Sequence, residues 1–266
     1  MKIDVERYQT HWHPEELSGG AFAHTAGTVL VLNAWDAAAQ ASAHANGPPG
    51  RVLDTACGNA RELAGLSSLG WEAIGMDPSR EQLRDARDNA RRRGQTVQFV
   101  RGVAEWLPFK PDVFDCLICK SALDHFVETE RAARDFARVV RPGGRAVVSA
   151  NNYGGITIRL SRLYYSLLRA VRPSSRKKRF IWDSPVPIEH TYECTFENTE
   201  ALGAPYFDTL ETYGVSLLWG LPVWTRFLGL MPLAVRVQIV GLLNRIARRT
   251  PRHADIFVFV WRPKKA

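Results

Sequence analysis

Apolar strand-like segments alternate with helix-like segments between residues 51 and 150, and this alternation constrains the fold more than any other feature. Helical patterns begin near Asn59 and cover 80–93 and 128–140. Strands separated by helices pair in parallel, and the helices cover both faces of the sheet, so we predict an α/β fold. The strand-like segments are RVLDT (51–55), EAIGM (72–76), TVQFVR (96–101), FDCLICK (114–120) and GRAVVSA (144–150).

The turn after the first strand indicates which kind of cofactor this fold accepts. It holds Ala56, Gly58 and Ala60, so the G-x-G-x-x-G fingerprint of dinucleotide-binding proteins is not satisfied. Asp77 ends the second strand, where a carboxylate can accept both hydroxyls of a ribose. Asp54 precedes the turn, and its charge would repel a pyrophosphate but suit a cationic group. The turn therefore favours a cofactor with a ribose and a positive charge.

Four motifs in chain order resemble those of the class I S-adenosylmethionine-dependent methyltransferases. VLDTACGNA (52–60) is similar to the family loop D-x-G-x-G-x-G with alanine at its first and third glycines, and MDPS (76–79) to its ribose acid. GVAEWLPFKPDVFD (102–115) resembles G-D-A-x-x-L-P-F-x-x-x-x-F-D, and RVVRPGGRAVVS (138–149) resembles the L-x-P-G-G hairpin. The resemblance implies a Rossmann-like, doubly wound seven-stranded sheet with an antiparallel last strand, and S-adenosylmethionine as cofactor.

The same resemblance implies which residues hold the cofactor. The family's usual aspartate at the adenine amino group is Val103 here, so that contact falls to backbone groups of Val103 and Ala104, or to Glu105. The implied set is Asp54, Ala56 and Gly58 at the methionine end, Asp77 and Pro78 at the ribose and adenine, Val103, Ala104 and Glu105 along the adenine, and Lys120 and Ser121 near the methyl group.

A general base is expected just after the fourth strand, because methylation of a hydroxyl or amine releases a proton. His125, in SALDHF, is the first candidate, with Asp124 beside it, and a packed structural histidine is the alternative. His190 is a second candidate near the substrate. Tyr8 and Trp12 are candidates for a lid over the methionine end of the cofactor.

We predict neither a metal site nor a disulfide framework. The HWH stretch at 11–13 has no carboxylate spacing that completes a metal site, and the four cysteines are few and scattered. Cys116 and Cys119 form a C-x-x-C pattern inside a strand. An offset of three places them on opposite faces of that strand, which argues against a shared redox or zinc role.

Four regions follow from these patterns: an N-terminal helical lid (1–48), a cofactor-binding core (49–150), a cap insertion with a basic amphipathic helix (151–206), and C-terminal strands with an apolar helical insertion (207–266). Large apolar residues recur at helical spacing across 156–171, and we expect this stripe to face inward over an acceptor pocket. The longest charge-free stretch of the second insertion, 213–225, is shorter than a membrane span.

The chain's net charge of +8 equals the eight basic residues between 154 and 182, a segment without acids. This segment keeps two alternatives open, a nucleic-acid methyltransferase and a membrane-surface enzyme or binding module that contacts anionic lipid. The Asn/Asp-Pro-Pro-aromatic signature of amino-adenine methylation is absent after the fourth strand, which disfavours nucleic acid. A nicotinamide oxidoreductase is the weakest alternative.

The favoured function is methylation of a small apolar or amphiphilic acceptor, at oxygen or nitrogen rather than carbon, in bacterial secondary metabolism. Residues 1–16 include four acids and no apolar run after a basic start, so we expect no secretory signal and a cytoplasmic protein. We expect a monomer or a homodimer.

Overall fold

The computed structural model describes residues 49–171, 192–218, 221 and 224–264. The predicted N-terminal lid with Tyr8 and Trp12, and also His190, lies outside the described residues. The strands are β1 (Arg51–Thr55), β2 (Glu72–Asp77), β3 (Val97–Arg101), β4 (Phe114–Lys120), β5 (Val140–Asn151), β6 (Phe207–Val215) and β7 (Ile256–Pro263). The helices are α1 (Arg61–Ser68), α2 (Arg80–Arg92), α3 (Thr129–Val139), α4 (Ile156–Val171), α5 (Phe196–Gly203), α6 (Trp224–Gly229) and α7 (Leu233–Arg249).

The described strands form one seven-stranded sheet in the order β3-β2-β1-β4-β5-β7-β6. The first five strands pair in parallel, and β7 is antiparallel to both β5 and β6. The predicted α/β Rossmann-like sheet with an antiparallel last strand is therefore confirmed. The strand order reverses between β1 and β4, and open α/β sheets bind ligands at such a switch point, outside the carboxyl ends of the strands. We call this side of the sheet the carboxyl edge.

Two apolar cores cover the two faces of the sheet. Leu117 and Cys119 belong to the core with Phe136 of α3, whereas Cys116 and Ile118 belong to the core with Leu63 of α1. Neighbouring residues of β4 alternate between the faces because successive side chains of a strand point in opposite directions. The prediction that Cys116 and Cys119 lie on opposite faces is confirmed. Burial raises the pKa of both thiols, that of Cys116 to about 12.

The fifth strand begins earlier than the sequence pattern indicates. β5 starts at Val140, which pairs with Phe114, and regular pairing resumes only at Cys116 and Arg145. The R-P-G-G stretch (141–144) is therefore an irregularity inside the strand and not a turn before it. Gly143, at φ 79°, supplies the left-handed backbone that this irregularity needs.

Helix α4 has the bounds that its periodicity predicts, but the expected orientation is wrong. Most of its large apolar side chains are exposed, and Thr157, Ile158 and Ser161 form the buried face. Thr157 fixes the rotation of α4 about its axis, because its hydroxyl donates to the Oδ1 atom of Asp255 and accepts from the Leu218 N–H. Among the described helices, none combines the length and the hydropathy needed to cross a bilayer.

Candidate active site

The turn between β1 and α1 has a left-handed backbone at three alternate positions. Ala56, Gly58 and Ala60 have φ values of 58°, 51° and 58°. This conformation costs about 1–2 kcal/mol for a residue with a side chain, and glycine adopts it without that penalty. The two alanines therefore hold the backbone shape of a glycine loop. Hydrogen bonds from the Cys57 N–H to the Met76 carbonyl (3.0 Å) and from the Ala60 N–H to the Cys57 carbonyl (2.8 Å) support it.

Asp77 joins this turn to the end of β2. Its Oδ2 atom accepts a hydrogen bond from the Gly58 N–H at 2.9 Å, and its Oδ1 atom accepts one from the Ser79 N–H at 2.8 Å. Burial raises the pKa of the Asp77 carboxyl, and these two backbone hydrogen bonds oppose the shift. Each carboxylate oxygen has a second lone pair, so Asp77 still has acceptor capacity for the two hydroxyls of a ribose.

Asp54 lies beneath the turn with only 2% of its surface exposed. Burial raises the pKa of its carboxyl to about 7, against the opposing effect of the Lys120 ammonium and with a smaller contribution from Asp77. Near neutral pH this carboxyl is therefore poised between its neutral and charged forms. A cationic group brought close to Asp54 would lower its pKa and stabilise the carboxylate.

Gln82 is a site residue that the sequence analysis missed. It is 4% exposed, and neither polar atom of its side-chain amide has a hydrogen-bond partner among the described residues. Its Oε1 atom lies 3.7 Å from the position that a Cβ atom on Gly58 would occupy. A buried amide without a partner is unfavourable by about 1–3 kcal/mol, and it is therefore a candidate to bind a ligand.

The sequence pattern around Gln82 predicts a helix-capping role for its side chain instead of a ligand-binding one. Ser79 and Gln82 have the spacing of a capping box, in which the glutamine side chain would bond back to the Ser79 N–H. Only half of that box forms, since the Ser79 hydroxyl accepts from the Gln82 N–H at 3.3 Å. The Ser79 N–H donates to Asp77 instead, which releases the Gln82 amide from the cap.

The predicted adenine side of the site is buried and firmly held. Val103, Ala104 and Glu105 are all at most 4% exposed. The Glu105 Oε1 atom accepts a hydrogen bond from the Val127 N–H at 2.9 Å, and burial raises the pKa of the Glu105 carboxyl. Pro78, half-buried, accepts at its carbonyl from the Arg101 side chain at 2.8 Å. The carboxylate of Glu105 thus secures the segment after β4.

Lys120 and Ser121 lie at the carboxyl end of β4, beside an open hollow. Ser121 is left-handed at φ 48°, and its N–H donates to the Ser149 carbonyl at 2.9 Å. The hollow combines three polar residues with an aliphatic wall. Its lining is Lys120, Ser121 and Ser149 with Ile118, Val147, Val215, Ile256 and Val258.

His125 and Asp124 lie together on a short 3₁₀ turn, Leu123–His125. The His125 Nε2 atom is 3.8 Å from the Asp124 Oδ1 atom. A quarter of the histidine side chain is exposed, whereas the aspartate side chain is fully buried. Asp124 therefore has no surface to offer to an acceptor and can act only through its neighbour. In the described part of the chain, no group of three His, Cys, Asp or Glu residues has the arrangement of a metal site.

Comparison with known proteins identifies the part of the chain that carries these features. A family model described as a methyltransferase domain matches residues 53–148. Residues 53–148 are a class I methyltransferase domain. Within it lie the turn at Ala56–Ala60, Asp77 and the His125 turn, so one domain supplies every described residue of the predicted cofactor site.

Curated methyltransferases are similar in sequence to part of this chain. An uncharacterized methyltransferase of Bacillus subtilis, YcgJ, is 38% identical over 96 residues, which are 36% of this chain and 38% of that protein. A demethylmenaquinone methyltransferase of Mycolicibacterium paratuberculosis is 42% identical over 124 residues, 46% of this chain and 51% of that protein. The matched regions thus span between a third and about a half of the curated relatives.

Solved structures extend the likeness of fold beyond the methyltransferase domain. The crystal structure of YcgJ has a TM-score of 0.53 at 22% identity and covers 87% of this chain and 96% of that one. A geranyl diphosphate methyltransferase in complex with GPP and sinefungin has a TM-score of 0.56 at 14% identity, covering 86% of this chain and 77% of that one. At these identities the likeness concerns the fold alone.

Proposed function

We propose that this chain transfers the methyl group of S-adenosylmethionine to a small apolar or amphiphilic acceptor. The observation that carries the proposal is the turn at the switch point of the sheet. It has the left-handed backbone of a glycine loop at Ala56, Gly58 and Ala60, and the buried carboxylate of Asp77 accepts the Gly58 N–H. An acid at this place suits the ribose, and Asp54 beneath the turn suits a cation rather than a pyrophosphate.

Each residue around this turn would contact a different part of the cofactor. Asp77 would accept the ribose hydroxyls, and Asp54 would face the positive charge of the methionine end. The buried amide of Gln82 would meet the part of the cofactor nearest Gly58, which satisfies polar atoms that have no partner among the described residues. When bound, the cofactor supplies a methyl group already activated by its sulfonium.

His125 is the proposed general base, with Asp124 as the residue that positions it. The side chain of Asp124 is inaccessible, and its Oδ1 atom lies 3.8 Å from the His125 Nε2 atom, so Asp124 is placed to orient the imidazole as His125 accepts a proton. An acceptor that loses a proton on methylation, at oxygen or nitrogen, uses this pair. A carbon acceptor that is already enolic or phenolate-activated needs less help from a base, and the preference for oxygen or nitrogen over carbon rests on that difference.

The surroundings of Lys120 support an acceptor with an apolar part. Five aliphatic side chains form most of the lining of the hollow beside Lys120 and Ser121. Two similar proteins are named for demethylmenaquinone and for geranyl diphosphate, compounds that join an isoprenoid chain to a polar group. Secondary metabolism in a bacterial cytoplasm, with the chain as a monomer or homodimer, is the setting that we propose for this reaction.

A labelled-methyl experiment tests the proposed reaction. The protein is incubated with methyl-labelled S-adenosylmethionine and either an organic-solvent extract or an aqueous extract of bacteria. We expect label in an organic-soluble small product. The His125→Ala variant should transfer label about 10²- to 10⁴-fold more slowly at unchanged cofactor affinity, the usual contribution of a positioned base.

His253→Ala is the matched control, because His253 lies in the turn after α7, outside the methyltransferase domain. It should transfer label at the wild-type rate. Label that enters nucleic acid instead of a small product would contradict the proposed acceptor class. Full activity of a folded His125→Ala variant would contradict the role of His125.

A further inference from the structure

Helix α4 exposes its apolar side. Leu163 is 57% exposed and Leu167 is 60% exposed, and they continue a stripe that runs to Val171. The opposite face buries Thr157 and Ser161, both 1% exposed. A surface helix of a globular protein normally has the reverse arrangement, with its apolar stripe toward the core. The outward stripe on α4 is Ile156, Leu160, Leu163, Tyr164, Leu167 and Val171.

Helix α7, in the second insertion, also exposes large apolar side chains. Leu242 and Ile246 are 53% and 44% exposed, on the side of the helix away from the fully buried Ala247. Arg245 and Arg249 are exposed beside them. Just before the helix, Leu230 is 86% exposed, which is the largest exposure among the hydrophobic residues that the structure describes.

Each of these two helices lies in a segment of the chain that contains no acidic residue. The segment 154–182 contains eight basic residues and no acid, and the segment 212–254 contains six arginines and no acid. Together they hold more positive charge than the chain's net +8, so the remainder of the chain is net negative. Basic side chains interleaved with large exposed apolar ones are typical of helices that lie in the interface of an anionic bilayer.

Helix α4 begins at the carboxyl edge, and the segment that contains α7 starts and ends there, beside the proposed methyl-transfer site. The Ile156 N–H at the start of α4 donates to the His253 carbonyl after α7, at 3.2 Å. The Thr157 hydroxyl accepts from the Leu218 N–H after β6, at 2.9 Å. Val215 and Ile256, where β6 ends and β7 begins, line the hollow beside Lys120. A surface that binds α4 and α7 is therefore next to the proposed acceptor site.

We propose that α4 and α7 dock the protein on the surface of an anionic phospholipid bilayer, from which a lipophilic acceptor enters the site. The arginines would pair with lipid phosphates, and the exposed leucines would enter the boundary of the acyl chains. Nucleic acid would pair with the arginines but would leave the leucines in water, which is why the bilayer is the favoured partner. The delivery of the acceptor rests on the proposed function, whereas the docking does not.

Flotation of the full chain with vesicles tests the docking. Vesicles of phosphatidylcholine alone are compared with vesicles containing phosphatidylglycerol, at 0.05 M and 0.5 M salt. We expect flotation with the anionic vesicles at low salt and its loss at high salt, because exposed charges are screened there. Arg245→Glu and Arg249→Glu should each lower the partition coefficient at least about fivefold, given the contribution of one arginine at an anionic surface.

Matched variants distinguish binding through this surface from non-specific binding to vesicles. The double variant Leu163→Gln with Leu167→Gln should lose flotation, whereas Leu69→Gln should float as the wild type does. Leu69 is also exposed but follows α1 at the opposite edge of the sheet, where β2 begins. Arg91→Glu near the end of α2 is the equivalent control for charge. All variants are checked for an unchanged thermal transition.

The outcomes distinguish the docking from the methyltransferase activity. Asp77→Ala should lose the binding of S-adenosylhomocysteine and still float. The docking proposal would be overturned, even if methyl transfer is confirmed, if the wild type does not float with anionic vesicles or if the leucine variants float as the wild type does. The docking proposal would be overturned in favour of nucleic acid if the wild type and the leucine variants bind a DNA duplex equally well and the wild type does not float with vesicles.

Discussion

At the scale of one residue, a substitution at Gln82 tests whether a buried polar group without a described partner binds the cofactor. Gln82→Met keeps a similar volume and removes both polar atoms. We expect the free protein to be equally stable or more stable in urea unfolding, since the replacement of an unsatisfied buried group by an apolar one is neutral or favourable. Affinity for S-adenosylhomocysteine should fall about three- to tenfold, as for the loss of one hydrogen bond.

Gln98→Met is the control for this change, because Gln98 lies exposed on β3. It should leave both stability and affinity unchanged. A marked loss of stability in the Gln82→Met protein would show that its amide already has a partner in the free state. Unchanged affinity would remove Gln82 from the cofactor site.

Asp54 gives the cofactor affinity a pH dependence of known sign. Its pKa of about 7 in the free protein should fall when the ammonium group of S-adenosylhomocysteine binds beside it. Binding therefore releases a proton below pH 7, and the affinity should rise with pH by at most tenfold per unit until it levels above pH 7. Calorimetry between pH 5.5 and 8.5, in buffers of different ionisation enthalpy, measures both quantities.

The same residue also predicts how the stability of the free protein varies with pH. Since the folded-state pKa of Asp54 is raised above its unfolded value of about 3.9, its stabilising contribution is complete below pH 4. That contribution is lost as the pH rises through 7. Asp54→Asn should therefore raise the melting temperature relative to wild type at pH 8 but not at pH 4, and flatten the pH dependence of binding. An equal effect at both pH values would contradict the raised pKa.

At the scale of elements, a buried hydrogen-bond cluster sets the orientation of α4. Thr157 donates to the Oδ1 atom of Asp255, and Ser216 donates to its Oδ2 atom at 2.9 Å. Thr157→Val should lower the free energy of unfolding by about 1–3 kcal/mol, because Asp255 loses a donor and the Leu218 N–H loses its acceptor. Thr209→Val, at an exposed position of β6, should change it little. Equal urea midpoints for the two variants would contradict the role of this cluster.

This cluster also shows why part of the fold could not be predicted from the sequence. The periodicity of 156–171 correctly predicts a helix. Thr157 and Asp255, however, are 98 residues apart, so no local sequence pattern predicts their contact. The strands of the core were predictable because each reads as a short apolar run between turn residues. The orientation of α4 depends on a contact between distant parts of the chain, and the prediction of an inward stripe is therefore wrong.

The cofactor turn is a second case in which local rules and the structure differ. The alanines at 56 and 60 argue against a glycine loop by composition, yet both are left-handed. Packing around them compensates, since Ala60 belongs to the core with Leu63 and Leu66 of α1. The positions of Asp54 and Asp77 beside the turn were predictable because both residues stand near strand ends. The unpaired amide of Gln82 was not, because it depends on which partner the Ser79 N–H takes.

At the scale of the whole molecule, the basic charge lies apart from the predicted cofactor site. The methyltransferase domain holds the described residues of that predicted site, and the acid-free segments 154–182 and 212–254 follow it in the chain. The first segment begins and the second ends at the carboxyl edge, where the Ile156 N–H donates to the His253 carbonyl. Chemistry and docking are therefore expected to be separable by mutation while they act on the same side of the sheet.

The central claim is that the turn at the switch point binds the methyl donor through Asp77. Titration calorimetry of S-adenosylhomocysteine into the wild type and into Asp77→Ala tests it most directly, with NAD as the comparison ligand. We predict binding of one S-adenosylhomocysteine per chain, no heat with NAD, and a loss of about 2–4 kcal/mol in the variant, which corresponds to two charge-assisted hydrogen bonds. Equal affinity of wild type and variant, or tighter binding of NAD, would contradict the claim.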